Sequence, residues 1–234
     1  MKPITLKLHL MVLLVLIVVV FVQFQQVQRF SDGFFHRVHT DLEQIIGIDA
    51  RSEVDMLLLQ NHRVSNFDDL TADLLELNRL YDNLADQLAG MVEMRDVLQG
   101  LKATIDAQIA AAEAFKSDLG ILLNSQRYLP VLTSQIGLQR PDMQHMLTHL
   151  NRDLFEWLLE PNNLELKQKI LQQQKLIREA GLMRLDRHIN LLLHYAPRIQ
   201  DHVDVVAHCG TPEIIALVAS RFDALYDGQL RQLS

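Results

Sequence analysis

Asp68-Asp69-Leu70-Thr71-Ala72-Asp73-Leu74-Leu75-Glu76-Leu77-Asn78-Arg79-Leu80-Tyr81-Asp82-Asn83-Leu84-Ala85-Asp86-Gln87-Leu88-Ala89-Gly90-Met91 is the stretch that decides the fold class. Leu70, Leu74, Leu77, Tyr81, Leu84, Leu88 and Met91 follow one another in alternating steps of four and three, which puts them on one side of an α-helix as a coiled-coil-type seam. Ser65-Asn66-Phe67-Asp68-Asp69 supplies turn and N-cap chemistry ahead of it.

The same periodicity extends in both directions. Upstream, Phe34, Val38, Leu42 and Ile45, then Val54, Leu57 and Leu58, predict a helix to about His62 with a bend near Gly47. Downstream, Leu98, Leu101, Ile105, Ile109, Ala112, Phe115, Leu119 and Leu122 predict a helix over about 95–128, which Pro130 should bend or end. Pro141-Asp142 opens a helix that Pro161-Asn162-Asn163 closes, and another follows from Leu164 to about Ile177. Ala180-Gly181 marks a break, after which Arg184 begins a helix to His208 with Pro197 as a kink or boundary. Thr211 as N-cap, Pro212 at the first helical position and Glu213 beside the positive helix end start the last helix. With only 9 glycines and 6 prolines in 234 residues there is little material for hairpin turns, so the expected fold is all-α.

Residues 4–24 carry a second signal: Leu10–Val22 contains no polar side chain. At about 1.5 Å per residue such a run matches the roughly 30 Å hydrocarbon core of a bilayer. Lys2 and Lys7 precede most of the run and only Arg29 follows closely, so the positive-inside bias keeps the N-terminus in the cytoplasm. The segment Gln23–Phe30 offers no small-x-small cleavage site, which favours an uncleaved anchor over a signal peptide. The expected layout is residues 1–3 cytoplasmic, 4–24 a transmembrane helix, and 25–234 exported, with about seven helices in the exported part.

The net charge of −7, without any Lys/Arg cluster, argues against nucleic acid as a partner. Cys209 is the single cysteine, which rules out an intrachain disulfide. There is no Gly-rich phosphate loop, nucleophile elbow or HExxH motif, so nothing points to an enzyme or to a cofactor. His145 and His149 stand four apart, a spacing two metal ligands can use, yet surface histidines are the plainer reading and no metal is expected.

Phe115–Pro130 is the most informative segment for a site. Phe115, Leu119, Leu122 and Gln126 form one helical stripe; Ser117, Gly120/Ile121, Asn124 and Tyr128 form a second, nearly opposite. Either the second stripe faces a cavity, where a few polar groups among apolar ones would hold a small molecule, or Ser117 and Asn124 bond across helices inside a bundle.

Three stretches give the chain a family likeness: Asp49-Ala50 through Asp55-Met56-Leu57 to Asn66-Phe67-Asp68-Asp69-Leu70; Phe115-Lys116-Ser117 with Asn124-Ser125; and His188 through Leu191-Leu192-Leu193 and Pro197 to Thr211-Pro212-Glu213, Leu217, Leu225 and Tyr226. In these it resembles the DAHL domains, all-helical extracytoplasmic ligand-sensing modules of bacterial sensor histidine kinases and diguanylate cyclases, over about residues 40–230. Asp69 stands where the family has Pro, and Leu119-Gly120 where it tends to have Asn-Ala, so ligand identity is not carried over. The resemblance implies two packed helical bundles, a receptor role in the periplasm beside the inner membrane, a small-molecule or periplasmic protein ligand, and a homodimer. It singles out Lys116, Ser117, Asn124, Ser125, Tyr128 and His188 as the polar positions nearest a ligand. It further implies a second membrane span and an output module, on a longer chain or a partner. The alternative is a membrane-anchored scaffold that binds a protein through the Leu70–Met91 seam.

Overall fold

The computed structural model describes residues 11–21, 32–61 and 66–233, and every regular element among them is helical. The helices are α1 Met11–Phe21, α2 Asp32–Gln60, α3 Asp68–Leu88, α4 Arg95–Gln139, α5 Gln144–Leu159, α6 Leu164–Glu179, α7 Met183–Ala207 and α8 Thr211–Leu233. Seven helices thus follow α1, as the periodicity predicts.

The chain divides into two compact units. Among the described residues, one holds α2 to Ile48, α3 from Glu76, α4 to Lys102 and α8. Its core is built by Phe34, Val38, Leu42 and Ile45 of α2, Leu77, Leu80, Leu84 and Leu88 of α3, Leu101 of α4, and Ile215, Val218 and Phe222 of α8. Phe35 stacks on Phe222 at 5.7 Å and lies 4.8 Å from the Tyr226 ring, and His39 Nε2 meets Asp223 Oδ1 at 2.8 Å, so α2 and α8 are joined by aromatic and polar contacts alike. At Gly100 a Cβ would stand 3.1 Å from Ile214 Cδ1, so the missing side chain allows α4 and α8 to approach closely.

The other unit holds α2 from Asp49, α3 to Leu75, α4 from Ala103, and all of α5, α6 and α7. Phe115, Leu119, Leu150, Leu154, Trp157, Ile170, Ile177, Leu185, Ile189, Leu192 and Ile199 fill its core. Buried carboxylates fasten the shorter helices. Asp153 of α5 accepts hydrogen bonds from Lys169 Nζ at 2.9 Å and Gln173 Nε2 at 2.7 Å on α6. Asp186 of α7 accepts from Gln174 Nε2 at 2.7 Å and Arg178 Nε at 2.8 Å, also on α6. Between α6 and α7, Gly181 at φ +76° takes the left-handed conformation. Leu182 N then donates to Ile177 O at 3.1 Å and Gly181 N to Arg178 O at 3.0 Å, the paired bonds of a Schellman cap.

At Pro130 and Pro197 the helix runs on rather than ending, and the end of the seam helix is corrected. Pro130 neither ends α4 nor marks its boundary; the helix continues to Gln139. The proline removes one backbone bond, but Leu129, Leu132 and Ile136 beside it are buried, and Thr133 Oγ1 donates to the carbonyls of Leu129 and Pro130 at 3.1 Å each. Burial of that turn outweighs the lost bond. Pro197 likewise lies inside α7, flanked by buried Ala196 and Ile199. The seam helix stops at Leu88, short of Met91, and its leucines are covered within the chain: Leu70, Leu74, Leu77, Leu84 and Leu88 are each at most 3% exposed. A partner helix therefore has no open seam to bind. α2 runs on through Gly47.

The predicted membrane segment 4–24 lies partly outside the described residues; its described part is α1, every residue of which is exposed. By length and composition one stretch of described residues could cross a membrane, Met183–Gly228. It comprises α7 and α8, which are separated at Gly210 with φ +77° and fall in different units.

Candidate functional site

The six residues expected near a ligand do not converge. Ser117 and Asn124 are exposed on α4 and Ser125 is buried. Lys116 turns to Thr71 Oγ1 and Glu113 Oε1, each at 2.9 Å, and so ties α4 to α3. The second stripe of α4 is therefore neither one cavity wall nor one buried interhelical network. Two of the six do meet: the Tyr128 and His188 rings lie 5.0 Å apart across α4 and α7. Arg184 Nη2 donates to Tyr128 Oη at 2.7 Å. His188 Nδ1 is buried without a hydrogen-bond partner; burial, then the positive charges of Arg184 and Arg187, holds the imidazole below its ordinary pKa. This corner favours a neutral imidazole beside two guanidinium groups.

A half-open cleft lies beside the first stripe instead. This cleft of about 380 Å³ is lined by Gln60 and Asn61 at the end of α2, Leu122 and Gln126 of α4, Arg152, Phe155, Glu156, Leu158 and Leu159 of α5, Pro161, and Ala196 and Ile199 of α7. Its composition follows from two helix faces. On α5, Leu147, Leu150, Leu154 and Trp157 face the core, which leaves Arg152, Phe155, Glu156 and Leu159, at helical spacing, on the side that lines the cleft. On α4, Leu119 and Leu122 are buried, while Gln126 one turn on brings an amide to the cleft.

Chemically the cleft pairs an apolar wall with a polar rim. Arg152 Nη2 lies 3.2 Å from Asp153 Oδ1 and Arg152 Nε 3.8 Å from Glu156 Oε1, leaving guanidinium donors for a ligand oxygen. Gln60 is itself oriented, donating to Gln200 Oε1 at 3.1 Å. Beneath Arg152, burial pushes the Asp153 carboxyl up, but the hydrogen bonds from Lys169, Gln173 and Arg152 together bring it below its ordinary value. Nothing in the cleft resembles a nucleophile with its base. Such a lining suits reversible binding of a molecule with an apolar body and a polar or anionic end.

Arg152, Phe155, Glu156 and Gln60 were missed by sequence reasoning. The signal was faint: Phe155 and Leu159 are apolar residues outside the core stripe of α5, with exposures of 41% and 83%. Among the described residues no group of three or more His, Cys, Asp or Glu side chains is placed to hold a metal ion. His145 and His149 are the nearest approach to one, with Nε2 atoms 3.2 Å apart on the exposed side of α5. Elsewhere on α4, buried Asp118 accepts from His202 Nε2 at 3.0 Å and pairs with Arg198 Nε at 3.1 Å, fastening α4 to α7.

Comparison with known proteins gives one match. The family model described as DAHL domain matches residues 33–234. No curated protein and no solved structure matches the chain.

Proposed function

The chain belongs to the DAHL domain family, the helical sensor-type domains of signalling proteins, and on that premise we propose that it is the extracytoplasmic ligand-sensing input domain of a membrane-bound bacterial receptor. The observation that carries the ligand-sensing part is the cleft between α2, α4, α5 and α7, with its apolar wall and the Arg152 guanidinium at its rim. A small molecule seated there would touch four helices at once. Any packing of those helices that fits the ligand better is then favoured in proportion to the difference in affinity.

Membrane anchoring is supported by α1, an unbroken run of apolar side chains from 49% to 67% exposed. A helix apolar on every side belongs in a bilayer or a protein core. Since α2 follows α1 in the chain and packs on α8 through Phe35, Phe222 and Tyr226, this helix pair is the route by which a shift would reach the membrane. The output, a kinase or cyclase on a longer chain or a partner, follows from the same reading, as does a homodimer.

The test is a thermal-shift screen of the intact chain in detergent against organic acids, amino acids, phenols and sugars, repeated with Arg152→Gln and Phe155→Ala. A ligand at a hundred times its Kd adds about 2.7 kcal/mol, enough to raise the midpoint by a few degrees. The expected result is a shift with at least one compound class that both substitutions reduce. A cooperative melt that no compound moves would count against a small-molecule ligand. The next step would then be crosslinking at Phe155 and Leu159 in search of a protein one.

A further inference from the structure

We propose that His145 and His149 form a bidentate surface site for a borderline divalent transition-metal cation such as Zn²⁺, separate from the cleft residues and independent of the ligand-sensing reading. The sequence offers only the i, i+4 spacing, which chance can supply among 10 histidines. The structure adds a convergence. Both imidazoles turn their Nε2 atoms toward each other at 3.2 Å, with ring centroids 4.3 Å apart and planes inclined by 68°.

That separation has a direct metal-binding meaning. With each nitrogen about 2.0–2.1 Å from a shared zinc ion, a 3.2 Å nitrogen–nitrogen distance corresponds to an N–Zn–N angle of roughly 100–105°, close to tetrahedral. The nitrogens needed as ligands are the ones that lie close together. Without a metal, the contact can be only a hydrogen bond between one protonated and one bare nitrogen, in full view of water that would serve either ring equally well.

The support for the pair is rigid. Leu147, Leu150, Leu154 and Trp157 anchor α5 on its opposite side, so the two histidine Cα positions are fixed before any ion arrives and little ordering remains to oppose binding. Nearby cations are already engaged: Arg140 with Asp142 at 3.3 Å and Arg152 with Asp153 and Glu156. Imidazole nitrogen suits Zn²⁺, Ni²⁺ and Cu²⁺ over Mg²⁺ or Ca²⁺. Two protein ligands leave the remaining positions to water or an incoming donor, so the ion would be exchangeable and unlike a closed structural zinc.

Isothermal titration of the intact chain in detergent with ZnCl₂ alone at pH 7.4 tests this, using His145→Gln, His149→Gln and Cys209→Ser. His145 is exposed and His149 half-buried outside the core, so the variants should fold as the parent does, which the metal-free melting midpoint checks. The expected result is binding that each histidine substitution weakens at least tenfold and that Cys209→Ser leaves unchanged. Absence of Zn²⁺ binding to the parent, equal binding by all four proteins, loss in only one histidine variant, or loss in Cys209→Ser would each overturn the proposal.

Discussion

Asp153 and His188 both make the fold less stable in acid, the first as a favoured anion and the second as a favoured neutral ring. The Asp153 carboxyl has a depressed pKa because its hydrogen bonds to Lys169, Gln173 and Arg152 outweigh burial. Its contribution is therefore complete above the unfolded carboxylate pKa of about 3.9 and is lost as pH falls through the lower folded value. Asp153→Asn should cost about 2 kcal/mol at pH 7. Urea melts should show that difference closing as pH drops below about 4. His188 is depressed too, by burial and then by Arg184 and Arg187, but here the neutral form is the favoured one. Protonation is more difficult in the folded state, so stability falls as pH drops from about 6.5 toward the folded value. Replacing it by Gln should flatten that part of the profile, and parallel pH titrations of the melting midpoint of parent and variant would show it. At this scale the sequence was least legible. Lys116, Ser117, Asn124 and Ser125 have the right chemistry for a site, yet whether a polar side chain meets a ligand, a neighbour or water is set by how helices distant in sequence pack.

Helices were legible because burial repeats every three to four residues, whatever the partner. What periodicity hides is the strength of a breaker against its surroundings: α4 passes through Pro130 because Leu129, Leu132 and Ile136 are held in the core. Pro130 itself is exposed, so Pro130→Ala removes no packing and restores a backbone donor. We expect a net gain of about 1–2 kcal/mol after the larger unfolded-state entropy of alanine is counted, visible as a higher midpoint in thermal melts. The α3 seam yields the converse prediction. Leu84 is wholly buried, so Leu84→Ala should cost about 2–5 kcal/mol while leaving the oligomeric state unchanged in analytical ultracentrifugation. A change of oligomeric state without destabilisation would return the seam to the role of a partner-binding surface. The cleft escaped sequence reading at this scale as well: α2, α4, α5 and α7 each give it a few residues, and no one helix carries its pattern.

For the whole molecule, two units built from segments that alternate along the chain share three helices without interruption. The consequence is a constraint on length. One residue inserted into α3 between Leu74 and Leu77 would turn everything downstream by about 100°. Leu77, Leu80, Leu84 and Leu88 would then leave one core while Leu70 and Leu74 kept their places in the other. α2 and α4 carry the same penalty wherever they pass from one unit to the other, so substitutions can accumulate along these helices far more freely than insertions or deletions. Variation in length should gather at the turns 89–94 and 160–163, and a library of single-residue insertions scored for folded protein would map the joints of the molecule directly.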